Sequence, residues 1–150
     1  DQEDELPPVV ELDLATQRPE ISVIGSDVTI VASGHASLLA REAEKLLKCE
    51  NISAEVIDVR VLNPFHAEEI IESVKKTKNL LVVDSGWISG GFSAEVIAKV
   101  VEQLPVDCLN NPPVRVALPD APAPTSRVLE KAYYTSTDDV VKAVKKILNS

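Results

Sequence analysis

The hydrophobic and polar positions alternate between two periods. Residues 21–24 alternate loosely and stop at Gly25-Ser26-Asp27, a turn signal, and 28–32 (VTIVA) is a continuous apolar run. So short a turn predicts that the first strand pairs antiparallel with the second as a hairpin. Ser33-Gly34-His35 breaks the run, and Leu39, Ala43, Leu46 and Leu47 then recur at helical spacing through Lys48. A strand is predicted over 54–59, stopped by Asn63-Pro64. A helix over 67–78 carries Ile70, Ile71 and Val74 on one face and Glu68, Glu69, Lys75 and Lys76 on the other. Residues 80–83 read as a buried strand, and Val96, Val100, Val101 and Leu104 as the apolar stripe of the next helix. Residues 114–118 form the last strand, and the three prolines of 119–126 predict an extended segment. Thr137-Asp138-Asp139 reads as the N-cap and acidic first turn of a final helix whose apolar face is Val140, Val141, Val144, Ile147 and Leu148. Strands and helices alternating with crossovers of this length predict a three-layer α/β/α sandwich around a mostly parallel sheet, its first strand antiparallel.

The pattern is organised around residues 82–96, where an apolar strand gives way to Asp84, three glycines (Gly86, Gly90, Gly91), Trp87 and Phe92 before a helix resumes. In open α/β sheets the loops at the carboxyl ends of strands are where ligands and partners meet the protein. Two glycines ahead of a helix suggest a phosphate seat. Yet neither G-x-G-x-x-G nor G-x-x-x-x-G-K-[ST] is present, and no Lys or Arg lies between Asp84 and Ala98. A tight turn letting the helix pack on its strand, with Trp87 covering an interface, is the better reading. Large rings at such an edge, together with the extended segment beyond the last strand, mark Asp84, Trp87, Gly90, Gly91, Phe92, Asp120, Pro122 and Pro124 as candidate interface residues.

Composition changes this picture in two places. Aromatics make up 3% of the chain against 45% hydrophobic residues, so the core must be aliphatic. The net charge of −9 is concentrated at the amino end: residues 1–20 hold seven acids (Asp1, Glu3, Asp4, Glu5, Glu11, Asp13, Glu20) against Arg18 alone. With Pro7-Pro8 and no sustained period, residues 1–18 read as an acidic linker or tail and 19–150 as one domain. Nucleic acid is not an expected partner, because phosphate binding needs a basic footprint. No apolar run reaches the roughly 20 residues of a membrane span, and the acidic start is unlike a secretory signal.

Candidate chemistry is sparse. His35 follows a strand and reads as a surface or interface residue. His66, with Glu69 three residues on, reads as a helix cap rather than a base. Cys49 and Cys108 match no zinc spacing, and Cys49 lacks an electropositive setting that would activate a thiol. No catalytic, cofactor-binding or metal-ligating residue is assigned, which suggests a non-catalytic part of a larger assembly.

Five motifs in order carry a resemblance. They are residues 25–31 (GSDVTIV), 55–60 (EVIDVR) with Asn63-Pro64, 72–77 (ESVKKT), 83–87 (VDSGW) with 91–95 (GFSAE), and 118–124 (LPDAPAP). Over about residues 20–148 the chain resembles the C-terminal domain of transketolase-like enzymes, above all that of the beta subunit of the E1 component of 2-oxo acid dehydrogenase complexes (pyruvate, branched-chain or acetoin type). The resemblance implies a five-stranded mixed sheet. It implies an intact enzyme that decarboxylates a 2-oxo acid on thiamine diphosphate and magnesium and passes the acyl group to a lipoyl carrier, with both cofactors held by other domains. The partners it implies are an E1 alpha-type subunit or preceding domains, a second beta subunit and, in several complexes, the E2 core. The compartment it implies is the bacterial cytoplasm or mitochondrial matrix. Phe65-His66 departs from the family's usual Leu-Asp, so a transketolase or deoxyxylulose phosphate synthase relative, or a stand-alone interaction module of the same fold, remains open.

Overall fold

The computed structural model describes residues 13–149. Five strands and five helices follow one another as β1 (Glu20–Val23), β2 (Val28–Ala32), α1 (His35–Lys48), β3 (Ala54–Asp58), α2 (Glu68–Thr77), β4 (Leu80–Trp87), α3 (Phe92–Gln103), β5 (Val114–Leu118), α4 (Arg127–Tyr133) and α5 (Thr137–Leu148). The strand order is β1-β3-β2-β4-β5, parallel throughout except for β1. The continuous run VTIVA sits at the centre because all five of its residues are buried, as a strand covered on both faces requires. Two cores flank the sheet. On one side Ala36, Ala40, Ala43 and Leu47 of α1 meet Val140, Val144 and Ile147 of α5 across Ile30 and Val56. On the other, Ile70, Ile71 and Val74 of α2 meet Val96 and Val100 of α3 across Val31, Ile57 and Val82. The fully buried side chains of both cores are aliphatic, with Phe65 and Phe92 at the margin of the second. Among the described residues no helix is long and apolar enough to cross a membrane.

β1 is antiparallel, but its partner is β3, not β2: Glu20 stands opposite Asp58 and Ile21 opposite Ile57. The hairpin reading fails because both edges of β2 are taken by the parallel strands β3 and β4. The turn at 25–27 therefore carries the chain across the start of β3. Ser26 and Asp27 donate their N–H groups to Ser53 O at 3.0 and 2.8 Å, and Asp27 Oδ2 accepts from Ser53 N at 2.7 Å. Gly25 is required there, since a Cβ would lie 2.2 Å from the carbonyl carbon of Ala54.

Glu55, 1% exposed, fixes this crossing from below: its Oε2 accepts from Gly25 N at 3.2 Å and pairs with Lys76 Nζ. Burial pushes its carboxyl up, but Lys76, Ser73 and the Gly25 N–H together outweigh burial and hold it below the usual carboxylate value. Beside it, Thr29 Oγ1 lies 2.7 Å from both Ser73 Oγ and Thr77 Oγ1, a buried polar cluster between β2 and α2.

Three local readings are corrected and one element is added. α2 starts after Ala67, one residue beyond His66, so His66 is not its cap; its Nε2 lies 3.0 Å from Ala15 O. α5 is capped by Ser136 rather than Thr137, through a reciprocal box with Asp139. The fourth strand continues past residue 83 to Trp87, because after an irregularity its pairing with β5 resumes at Trp87–Leu118. Residues 127–133, unassigned from the sequence, form α4. The acidic linker expected over 1–18 lies largely outside the described residues; 13–18 turn at Asp13, meet His66 just ahead of α2, and reach α2 itself through the exposed Arg18–Glu68 pair at 3.3 Å.

Candidate interaction surface at the carboxyl edge

The candidate site is assembled at the end of β4. Asp84 is buried and uses both carboxylate oxygens within the chain: Oδ1 accepts from Gly86 N and Oδ2 from Ser93 N, each at 2.8 Å. The second bond places a negative charge on the first turn of α3, where the helix dipole favours it. Gly91 makes room for this, since a Cβ there would lie 2.1 Å from Trp87 O and 2.9 Å from Asp84 Oδ2. Gly90 serves a different need: its φ is +70° and nothing lies within 4 Å of a Cβ, so it supplies the left-handed turn. The anion seat that two glycines before a helix suggest is thus filled from inside the chain by Asp84.

Trp87 stands on the last position of β4 with 54% of its surface exposed. Its Nε1 donates to Tyr133 Oη at 3.0 Å, and that hydroxyl donates to Ala121 O at 2.7 Å. Ser89 donates its N–H and Oγ to Asp120 at 3.1 and 2.6 Å. Trp87, Asp120, Ala121 and Pro122 line a hollow of about 170 Å³. The surface therefore offers a fixed indole ring beside prolines and a carboxylate, with its polar atoms already ordered.

Of the candidate residues, Trp87, Asp120 and Pro122 come together in this hollow, and Pro124 stands further along the same segment. Gly90 and Gly91 shape the turn behind it. Asp84 is buried beneath, and Phe92 packs edge-on against Phe65 with ring centroids 5.1 Å apart. Sequence reasoning missed Tyr133, the hinge of the whole arrangement. Its one signal is the Tyr133-Tyr134 pair in a chain with so few rings. His35 lines a separate cavity of about 210 Å³ with Leu39, Ser85, Leu118, Tyr134 and Thr135.

Comparison with known proteins places the chain in a family. The transketolase C-terminal domain family matches residues 18–140. This chain belongs to that family. It is 41% identical over 132 residues to the mitochondrial pyruvate dehydrogenase E1 component subunit beta of Caenorhabditis elegans, and 42% identical over 123 residues to the corresponding subunit of Rickettsia felis. Those matches cover 88% and 82% of this chain but 38% and 37% of the relatives, so the chain spans less than two fifths of their length. Among solved structures, a split gene transketolase described as an inactive beta4 tetramer superposes with a TM-score of 0.75 at 34% identity, covering 88% of this chain and 42% of that one. The chain thus corresponds to the C-terminal domain of a pyruvate dehydrogenase E1 beta-like subunit, with the mixed five-stranded sheet of the family.

Thiamine diphosphate, which the family implies, does not fit the residues described. Its diphosphate would be held through a metal ion needing several oxygen ligands. Among the described residues no group of three or more His, Cys, Asp or Glu could hold one. The glycine-rich start of α3 is occupied by the Asp84 carboxylate.

Proposed function

We propose that this chain is the assembly and docking domain of a thiamine diphosphate-dependent 2-oxo acid dehydrogenase E1 beta-type subunit, and that its contribution to the enzyme is structural. The observation that supports this is the exposed Trp87 ring, held by Tyr133 and flanked by Asp120 and Pro122. A hydrogen-bonded ring loses little side-chain freedom on meeting a partner, and aromatic residues are enriched at interface centres. Asp84, Gly90, Gly91 and Phe92 support that surface from behind, and Pro124 extends it. The partners in this reading are a second beta-type subunit, an alpha-type subunit or preceding domains, and the E2 core. The compartment is the bacterial cytoplasm or the mitochondrial matrix, as the relatives' names suggest. Cofactor and magnesium binding would belong to other parts of the enzyme.

The test is sedimentation velocity on the intact enzyme carrying Trp87→Ala, with Val106→Ala as control, Val106 being a fully exposed side chain remote from the edge. Trp87→Ala is expected to shift the enzyme toward smaller species and the control to leave it intact. Unchanged assembly with Trp87→Ala refutes the reading. Titration calorimetry of this chain with thiamine diphosphate and magnesium is expected to show no saturable binding, and micromolar binding would overturn the structural role.

A further inference from the structure

α4 differs from every other helix of the fold. None of its side chains is buried, and Val128 and Leu129 are 77% and 58% exposed. It lies within residues 119–135, between two firmly anchored elements. β5 precedes the segment; α5 follows it, held by the Ser136 capping box and by buried Val140, Val144 and Ile147. The hydrogen bonds described between this segment and the end of β4 are those of Trp87 to Tyr133 and of Ser89 to Asp120. The bond from Tyr133 to Ala121 is of another kind, because it joins the two limbs of the segment to each other. Between it and β5 runs a cleft of about 450 Å³, lined by the consecutive residues Arg115 to Leu118 with Ile88, by Pro119 and Ala132 to Thr135 of the segment, and by Asp139 of α5. Consecutive residues along one wall are what a strand presents edge-on, and among the described residues β5 has no strand on that side.

We propose that residues 119–135 form a strap that lifts from the sheet as a unit while the sheet stays folded, with Trp87 and Ser89 as its catch and the Tyr133–Ala121 bond as the staple that makes its limbs move together. Opening breaks a few hydrogen bonds and withdraws no fully buried side chain of α4 from the core. Segments of that description open far more readily than the whole domain unfolds. When closed, the strap lies along the outer edge of β5, the kind of unpaired edge that proteins commonly cover. When open, it bares that edge together with the inner face of the Trp87 ring. The opening is a property of the chain by itself and stands apart from the assembly role proposed above.

Trypsin supplies the test, since Arg127 and Lys131 lie in the strap and cleavage of a briefly opened segment tracks the population of the open form. In this chain Asp120→Ala removes two bonds of the catch, eleven residues from Lys131. It is expected to speed cleavage after Lys131 on the order of tenfold, while amide exchange at Val82 and Val83 stays unchanged. Tyr134→Phe, the neighbouring tyrosine, is expected to leave the rate as it was. With Tyr133→Phe already present, Asp120→Ala should no longer accelerate cleavage after Lys131, because that change removes both the staple to Ala121 and the Trp87 catch bond, leaving the Lys131 limb already free. The proposal is overturned if Asp120→Ala leaves Lys131 cleavage unchanged, if Val82 and Val83 speed up in step with it, if Tyr134→Phe matches its effect, or if the acceleration persists without the Tyr133 hydroxyl.

Discussion

Adjacent glycines in one loop give a demanding test of the site's geometry. Gly91→Ala places a methyl 2.1 Å from Trp87 O and 2.9 Å from Asp84 Oδ2. Neither atom is the free end of a flexible chain: the first is backbone, and the second is bonded to Ser93 N. Restoring ordinary contact with the carbonyl requires a shift of more than about 1 Å. Overpacking of this kind typically costs about 1–3 kcal/mol, and losing a charge-assisted bond from Ser93 N–H a further 1.5–3 kcal/mol, roughly. At about 2–4 °C per kcal/mol for a chain of this size, the midpoint should fall on the order of 10 °C. Gly90→Ala meets no atom within 4 Å and is disfavoured only by its φ of +70°. Left-handed backbone costs a side chain about 1–2 kcal/mol, a fall of about 4 °C. Thermal unfolding followed by circular dichroism separates the two, with Trp87 fluorescence reporting whether the ring has moved. If Gly91→Ala is no more damaging than Gly90→Ala, the close packing of this turn against Asp84 is not what holds it.

Three further outcomes follow from the frame behind the site. The Glu55 carboxyl titrates below its usual value in the folded chain, so its stabilising contribution is full above the unfolded carboxylate pKa and is lost as pH falls through the folded one. Acid unfolding curves of Glu55→Gln should therefore be flatter over that window than those of the parent, and parallel curves would argue against the Lys76 pairing. Ser136→Ala removes the α5 cap at a cost of about 1 kcal/mol, measurable as a shifted denaturant midpoint with unchanged slope; no shift would mean the box is not formed in solution. Gly25→Ala drives a Cβ to 2.2 Å from Ala54 and should release β1, seen as faster amide exchange at Ile21 and Ser22, whereas unaltered exchange there would contradict the crossing.

The layers, the parallel sheet and the five strands were legible in the sequence because each buried element repeats its apolar residues at the period of its own geometry. Ile70, Ile71 and Val74 announce α2, and VTIVA announces the central strand. What was not legible is what periodicity does not encode. The partner of β1 was misread because a short turn suggests a hairpin unless one knows that both edges of β2 are taken. α4 was invisible because Val128 and Leu129 face outward, leaving no buried stripe to detect. The end of β4 was cut short at Asp84, a polar residue that looks like a strand terminus but works as a cap for α3 nine residues later. At the edge itself, Trp87, Asp120 and Pro122 were singled out from ring chemistry and loop position. Tyr133 was not, because its role is a hydrogen bond across 46 residues, which no local spacing reveals.

The crossing at Gly25 also orders events in time. β1 is the first strand of the sheet to be synthesised, yet its register is with residues 56–58, so the surface it pairs with does not exist until α1 has been made and passed. Contacts separated this far along a chain close late, since the intervening segment must surrender its freedom first. Meanwhile β2 can pair with β3 as soon as that strand emerges, through the α1 crossover alone. The first strand made therefore stays without its strand partner until β3 is made, and Gly25 cannot take its place against Ala54 before Ala54 is there.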